Sequence, residues 1–384
     1  MASDVDHASE LRALLEISRK ICTETESESL FQAILENAVR ITDAEGGTIY
    51  FYDEPSEALV FKFVISPDPE VAKRLQGMTL KKGAGIVGRV AETLQTELVA
   101  DTRKDLHFAR NFDQKSGFET RSILTAPLEF YDTETESRTL VGVLQVVNNR
   151  QGGFDETDVK ELEAFGGFAA SLLTRAKLFD RLRRQYLGTV ASLAEAVDAK
   201  DPYTHGHSLR VSAYSIRCGQ ALGLPPALVF NLHVSSLLHD IGKIGIPDKI
   251  LQKNGKLDDE EFARIKTHTK EGVHILKPVH MSPETYEGIL YHHEKWNGTG
   301  YEKLQGTDIP LFARIIALAD AFDTITTERP YKKAYSFSEG RAMVLRDAGT
   351  HFDPELAQVF CGMPLEEIPA TAESDSFLPL AESE

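Results

Sequence analysis

The chain has 384 residues, with 42 Lys and Arg against 59 Asp and Glu for a formal charge of −17. Its 42% hydrophobic content supports real cores and excludes wholesale disorder, and the length suggests two or three domains. The acid excess disfavours nucleic-acid polymers as partners, and the three scattered cysteines, Cys22, Cys218 and Cys361, exclude a disulfide framework or a thiolate zinc ribbon.

No stretch approaches the roughly 18 apolar residues of a membrane span, and residues 1–10 are acidic rather than signal-like. A cytoplasmic protein with no membrane partner is expected. In chain order, Leu11, Leu14, Leu15, Ser18 and Ile21 fit one helical face. Leu30, Phe31, Ile34, Leu35, Ala38 and Val39 fit a second. Gly46 and Gly47 then open an aromatic, β-branched run over 48–52, and 58–65 forms another between Pro55 and Pro67. Gly83, Gly85 and Gly88 punctuate a short helical segment, and 123–130 and 140–147 read as further strands. This half is therefore expected to be α/β, an antiparallel sheet with packed helices.

Over 162–197 the pattern changes to a heptad seam: Leu162, Phe165, Ala169, Leu172, Ala176, Phe179, Tyr186, Val190, Leu193 and Val197. Steps of three and four are broken once, across Arg183. Two readings follow: a dimeric connecting helix, or a long helix packed along its own domains. The first is preferred, because neither flanking half requires so regular a seam. Arg183 then either tunes register or snorkels to water. Past Lys200 apolar spacing is helical, over 228–238, 262–276 and 311–325, and the tail after Thr371 is polar. The expected divisions are 1–161, 162–197, 198–370 and 371–384.

Ten of the 12 histidines lie from His205 onward, so the two halves differ in chemistry. The informative set is His207, His239-Asp240, His268, His292-His293 and Asp320. Imidazole with carboxylate suits iron, manganese, nickel or zinc. Seven candidates suit two ions with one shared carboxylate. Neighbours on a helix diverge by about 100°, so Asp240, with two oxygens, is the natural bridge while His239 serves one ion. Gly242 and Gly245 leave room for close backbone approach, and Lys243 stands where it reaches a phosphate oxygen. Arg329-Pro330-Tyr331-Lys332-Lys333 is the densest nearby basic cluster, and Arg forms bidentate forks with phosphate. Glu294 and Asp323 read as groups that orient ligands. His205, His233, His274, His280 and His351 read as structural.

With these residues in view, 187–362 resembles an HD-GYP phosphodiesterase domain, a branch of the HD metal-dependent phosphohydrolases. The matching segments are Asp201-Pro202-Tyr203-Thr204-His205-Gly206-His207-Ser208 with Arg210-Val211, and His239-Asp240-Ile241-Gly242-Lys243-Ile244-Gly245-Ile246-Pro247. His292-His293-Glu294, Gly298-Thr299-Gly300-Tyr301, Asp320-Ala321-Phe322-Asp323 and Arg329-Pro330-Tyr331 complete them. The resemblance implies an all-α domain that cleaves cyclic di-GMP to pGpG or GMP through a hydroxide activated by two metal ions. It implies His207, His239, Asp240, His268, His292, His293 and Asp320 as metal ligands, iron or manganese favoured. Lys243 and Asp240 are the catalytic candidates, and Lys243, Tyr301, Arg329 and Lys332 the substrate contacts.

Two departures stand out. The Gly-Tyr-Pro of the branch is Gly300-Tyr301-Glu302, which trades a stiff proline for charge and an amide donor. Tyr203 stands where members with a third ion carry glutamate, so two ions are expected. The first half, 10–176, resembles a GAF sensory domain through 86–90, 122–128, 142–149, Phe154-Asp155 and Asp158. Asn149-Arg150 and Phe154 are similar to a motif of some cyclic-nucleotide-binding GAF domains and equally to ordinary strand-to-helix junctions. The ligand there stays open. With no cysteine between Glu24 and Arg217, a thiol-linked chromophore is not expected. The expected whole is a GAF-regulated enzyme, homodimeric through the connecting helix. The alternatives are a metal-containing cyclic-dinucleotide signalling module with weak turnover, or an HD phosphohydrolase for another nucleotide.

Overall fold

The computed structural model describes residues 27–105, 108, 113, 117–132, 137–200, 206–253, 255–328 and 333–367. The expected helix over 11–21, the polar tail, and Tyr203, His205, Arg329 and Lys332 lie outside the described residues. Two compact units divide at Arg181 and Leu182. In the first, α1 (Ser27–Ile41) precedes β1 (Ala44–Asp53) and β2 (Ala58–Ile65). Then come α2 (Pro69–Leu75), β3 (Thr79–Lys81), α3 (Gly85–Thr93), β4 (Glu97–Val99), β5 (Ile123–Asp132) and β6 (Ser137–Asn149). The six strands form one sheet in the order β3-β2-β1-β6-β5-β4, every pair antiparallel.

Strand alternation sorts side chains onto two faces. Leu144 and Val146 join Leu124, Ala126 and Leu128 against Ile34, Leu35, Leu162 and Phe165, whereas Val143 joins Tyr50, Leu59, Phe61, Val87 and Val90. Gly46 and Gly47, expected to open the first strand, lie inside it, paired with Val147 and Val146. Asn149 ties the sheet to α1 by donating to the Thr42 carbonyl at 3.0 Å, Arg150 pairs with Asp43, and Phe154 is buried in the core. These three residues thus make a strand-to-helix junction.

The long helix, α4 (Glu156–Asp198), starts on the Asp155 carboxylate, which accepts from the Thr157 and Asp158 amides at 2.7 and 3.1 Å. Leu162, Phe165, Ala169 and Leu173 are buried in the first unit's core, and Leu187, Val190, Ala194 and Val197 in a core of the second. Between them Leu178, Phe179 and Leu182 are 53%, 62% and 63% exposed. Both ends of the seam therefore pack largely on their own domains, the less favoured reading, while among the described residues the middle and Leu193 lack such cover. Arg183 is half-buried, with its guanidinium 4.7 Å from the centre of the Phe230 ring.

The second unit is helical: α5 (His207–Ala221), α6 (Pro226–Leu237), α7 (Asp248–Leu251), α8 (Asp259–Lys266) and α9 (His268–Leu276). It continues with α10 (Pro283–Tyr291), α11 (Leu311–Thr326), α12 (Phe337–Arg346) and α13 (Pro354–Gly362). The spacing over 262–276 belongs to two helices meeting at Thr267, which puts His268 at the start of the second. One core gathers Tyr214, Phe312, Ile316, Phe322, Phe352 and Phe360. Each such side chain, once buried, contributes about 1.5–3 kcal/mol. The ligand candidates sit at helix ends or on α11 beside this core.

Candidate metal centre

Helix ends present side chains without a surrounding turn, and all six motif histidines and aspartates outside α11 use this. His239 and Asp240 follow α6 and lead into a 3₁₀ turn (Ile241–Gly245). His268 begins α9, His292 and His293 follow α10, and His207 begins α5. Asp320 and Asp323 lie on α11. A Cβ on Gly242 would lie 1.8 Å from the His268 carbonyl oxygen, so only glycine lets the turn bearing Asp240 meet the start of α9.

The seven expected ligands converge in two sets, Asp240, His268, His292 and His293, and His207, His239 and Asp320. Within each set the ligating atoms lie within 4.8 Å of one another. The sets meet on Asp240. Its Oδ1 stands 3.3 Å from His268 Nε2 and 4.0 Å from His292 Nε2, while Oδ2 stands 3.4 Å from His239 Nε2. His207 Nε2 is 3.3 Å from Asp320 Oδ1.

The far side of each ring fixes its tautomer. Nδ1 of His239, His268 and His292 donates to the carbonyls of Ser236, Ile265 and Ile289 at 2.7, 2.7 and 2.8 Å. A carbonyl only accepts, so each Nε2 carries a bare lone pair. Two of these, on His268 and His292, face each other at 3.4 Å, and buried His239 Nε2 has no hydrogen-bond partner. Facing lone pairs and an orphaned acceptor are costly in a dry interior and are satisfied by a cation. The residues therefore fit a divalent metal ion, and this His/Asp cluster could hold one.

Charge follows the same logic. Burial, then the neighbouring imidazoles, holds His292 well below the usual imidazole range, and burial depresses His293 to about 4 and also lowers His268. Burial alone would raise Asp240, but Lys243 and the surrounding histidines outweigh it and hold the carboxylate ionised. Burial opposes a proton on His207, yet Asp320 and Asp323 raise its pKa to about 10. That proton occupies a position a metal ion would take.

Asp323 orients a ligand candidate as expected, holding His207 Nδ1 at 2.8 Å and Arg210 Nε at 2.6 Å. Glu294 does not orient a ligand. It accepts from the Glu302 and Leu304 amides at 2.6 and 2.7 Å, and Gly300 packs so closely that a Cβ would lie 2.5 Å from Glu294 Cα. Glu294 thus shapes the loop that carries Tyr301, and the Glu302 amide uses a donor that proline lacks. The Glu302 carboxylate pairs with Lys270 at 2.7 Å. Tyr301 lies with its ring centre 4.7 Å from that of His293, and burial pushes its hydroxyl up to about 12. Lys243 Nζ is 2.5 Å from Asp240 Oδ2. His233 is buried with Nδ1 2.6 Å from Ser212 Oγ, apart from either set, and His351 stacks on Phe352.

In the first unit, a cavity of about 100 Å³ is lined by residues including Tyr50, Phe61, Ile86, Phe118 and Gln145. Asn149, Arg150 and Phe154 do not line it. Among the described residues no helix is long and apolar enough to cross a membrane.

Residues 191–356 match the family model described as HD domain, and 24–174 the one described as GAF domain. The HD match contains all seven ligand candidates. A cyclic di-GMP phosphodiesterase of Vibrio cholerae is 38% identical over 187 residues, 44% of this chain and 38% of that protein. A 3′3′-cGAMP-specific phosphodiesterase of the same organism is 37% identical over 207 residues, 53% of this chain and 40% of the relative. A cyclic di-GMP phosphodiesterase of Pseudomonas aeruginosa is 37% identical over 198 residues, 50% and 48% of the two chains. The chain thus spans less than half the length of these curated relatives. Among solved structures, a cyclic GMP-AMP phosphodiesterase of V. cholerae aligns at 24% identity with a TM-score of 0.40, covering 50% of this chain and 52% of that one. The GAF domain of a Coxiella burnetii phosphoenolpyruvate-protein phosphotransferase aligns at 16% identity with a TM-score of 0.37, covering 45% of this chain and 96% of that one.

Proposed function

We propose that this chain, which joins a GAF domain to an HD domain, hydrolyses a 3′-5′ phosphodiester of cyclic di-GMP to give pGpG, GMP or both. The observation that carries this reading is the meeting of two His/Asp sets on the two oxygens of Asp240. His207, His239 and Asp320 would hold one divalent ion, His268, His292 and His293 a second, and Asp240 would serve both, with iron or manganese favoured. Such ions acidify water and polarise a phosphoryl oxygen.

The protein's own groups do the rest. Three backbone carbonyls and Asp323 keep the rings aimed inward, so the site is organised before substrate arrives. Lys243, beside Asp240, places positive charge where a non-bridging phosphoryl oxygen would gather charge. Tyr301 keeps its proton across neutral pH and so remains a hydrogen-bond donor beside His293. Lys266, 5.6 Å from the Tyr301 ring centre and 4.6 Å from that of Phe262, adds a cation to that wall. Arg329 and Lys332 are proposed as further phosphate contacts.

Product chromatography after incubating the Mn(II)-loaded protein with cyclic di-GMP tests the reading, and linear pGpG or GMP is expected. Bound but uncut dinucleotide would support a signalling module instead. Hydrolysis of 3′3′-cGAMP alone would support a second reading, favoured by the 37% identity to a relative named for that substrate.

Regulation by the GAF domain and a cytoplasmic homodimer are part of the same proposal. Leu178, Phe179 and Leu182 are exposed in mid-helix, with Leu193 also 47% exposed and two heptads beyond Phe179. A second copy of this helix is the occupant that heptad spacing selects. Sedimentation at micromolar concentration is expected to give a dimer, and a monomer would refute it. The roughly 100 Å³ cavity is well below the ~300 Å³ usual for a ligand pocket, which favours a ligand smaller than a nucleotide.

A further inference from the structure

We propose that Asp198 and Lys200, at the C-terminal end of the long helix, are positioning residues that clamp both halves of the metal centre. Helix α5 opens on Gly206, which has no side chain to cap the exposed amides of the first turn. Asp198, the last residue of α4, supplies that cap from another helix. Its Oδ2 accepts the Ser208 amide at 3.1 Å and its Oδ1 the Ser208 hydroxyl at 2.8 Å. Ser208 adjoins His207, a member of one ligand set. Asp198 is buried, so the carboxylate is committed to this contact.

Two residues further on, Lys200 grips the other set. Its ammonium donates to the carbonyls of Lys243, Ile244 and Ile246 at 3.3, 2.9 and 2.6 Å. The ammonium thus gathers three carbonyls at the end of one 3₁₀ turn, and Asp248 Oδ1 lies 3.4 Å away as its counter-charge. That turn begins immediately after Asp240 and contains Lys243. The Lys200 main chain is held in turn, its carbonyl accepting from Gln252 Nε2 at 3.1 Å.

One helix end thus holds Ser208, the residue after His207, and the turn after Asp240, so it touches a neighbour of each set. The same helix begins in the core of the GAF unit with Leu162, Phe165 and Ala169. A twist of its last turn would be felt at both sets together. This inference rests on the two-ion reading and adds the means by which that centre is positioned.

Spectroscopic titration of the full chain with Co(II) tests it, using Lys200→Met and Ser208→Ala, neither of which removes a ligand. Outer groups that orient ligands change metal affinity by about 10–100-fold. Lys200→Met is expected to weaken Co(II) binding by at least about tenfold and to alter the visible d–d band, with Lys200→Arg recovering most of the affinity. Ser208→Ala is expected to shift the same band more weakly. Wild-type affinity and spectrum in both folded variants would overturn the clamp. Should Lys200→Met fail to fold, Ser208→Ala decides: an unchanged band overturns the proposal and a shifted one supports it. No Co(II) binding by the wild type would instead overturn the two-ion reading itself.

Discussion

Replacing Gly242 by alanine adds one methyl group at the junction between the two segments that carry Asp240 and His268. The added Cβ would meet the His268 carbonyl oxygen at 1.8 Å, the Gly272 amide nitrogen at 2.6 Å and the His268 carbonyl carbon at 2.7 Å. All three are backbone atoms, so no rotamer change relieves the contact. To bring the shortest distance to at least 3.0 Å, the segments must part by about 1.2 Å. Overpacking of this kind costs about 3 kcal/mol, the upper part of its usual range. In a domain of this size that lowers Tm by about 6–12 °C. The same parting opens the 3.3 Å approach of Asp240 Oδ1 to His268 Nε2. Thermal unfolding with and without Mn(II) reads both effects: the metal-free protein is expected to melt lower, and the stabilisation by Mn(II) to shrink. A metal-free Tm within about 2 °C of the wild type, with the Mn(II) shift intact, would refute the role given to this glycine.

Three other outcomes are expected. Asp323→Asn removes the carboxylate that fixes His207 and pairs with Arg210, so metal affinity measured by competition with a chelator should fall about 10–100-fold while the fold survives. His233 is held down to about 4 by burial, below its ordinary 6.5, so the unfolded chain binds a proton in that window that the folded chain does not. Its contribution of roughly 3 kcal/mol is therefore present above pH ~6.5 and is lost as pH falls to about 4, and His233→Gln should flatten that part of the stability profile in urea unfolding. Glu302→Pro deletes the amide that donates to Glu294, a bond to a charged acceptor worth about 1.5 kcal/mol. Up to a tenfold rise in KM for cyclic di-GMP with unchanged metal stoichiometry is expected, and a lost ion would contradict the assignment of Glu302 to the loop alone.

Much of the centre was legible because its chemistry is dense in the sequence. Two adjacent pairs, His239-Asp240 and His292-His293, are hard to produce by chance, and the structure brings them together with His207, His268 and Asp320. The divergence of neighbouring side chains was enough to mark Asp240 as the residue with an oxygen for each set. The role of Glu294 was not legible: adjacency to His293 suggested a contact with the ligand, whereas the carboxylate turns to amides eight and ten residues ahead. Asp198 and Lys200 gave no signal at all, since charged residues at a helix end look like solvated surface until Ser208 and the 241–245 turn fold against them.

The fold shows the same division. Strand alternation located β1, β2, β5 and β6, whereas β3 and β4, at three residues each, are too short to display a period. The helix Pro69–Leu75 carries a readable start, with Asp68 accepting the Glu70 amide at 2.9 Å and proline at the first position. Pro67 drew attention to the strand end instead. The heptad seam is the instructive miss, because regular spacing says that a face is buried without saying against what. Leu162 and Val190 bury it within the chain's own cores, and among the described residues Leu178, Phe179, Leu182 and Leu193 are left for another copy.

The claim on which the account turns is that two cations sit between these side chains with Asp240 touching both. Anomalous diffraction from crystals of the Mn(II)-loaded protein measures this directly. Two peaks are expected, one among His268, His292 and His293 and one among His207, His239 and Asp320, with a different oxygen of Asp240 toward each. A single peak, or none among these seven residues in protein that hydrolyses cyclic di-GMP, would contradict it.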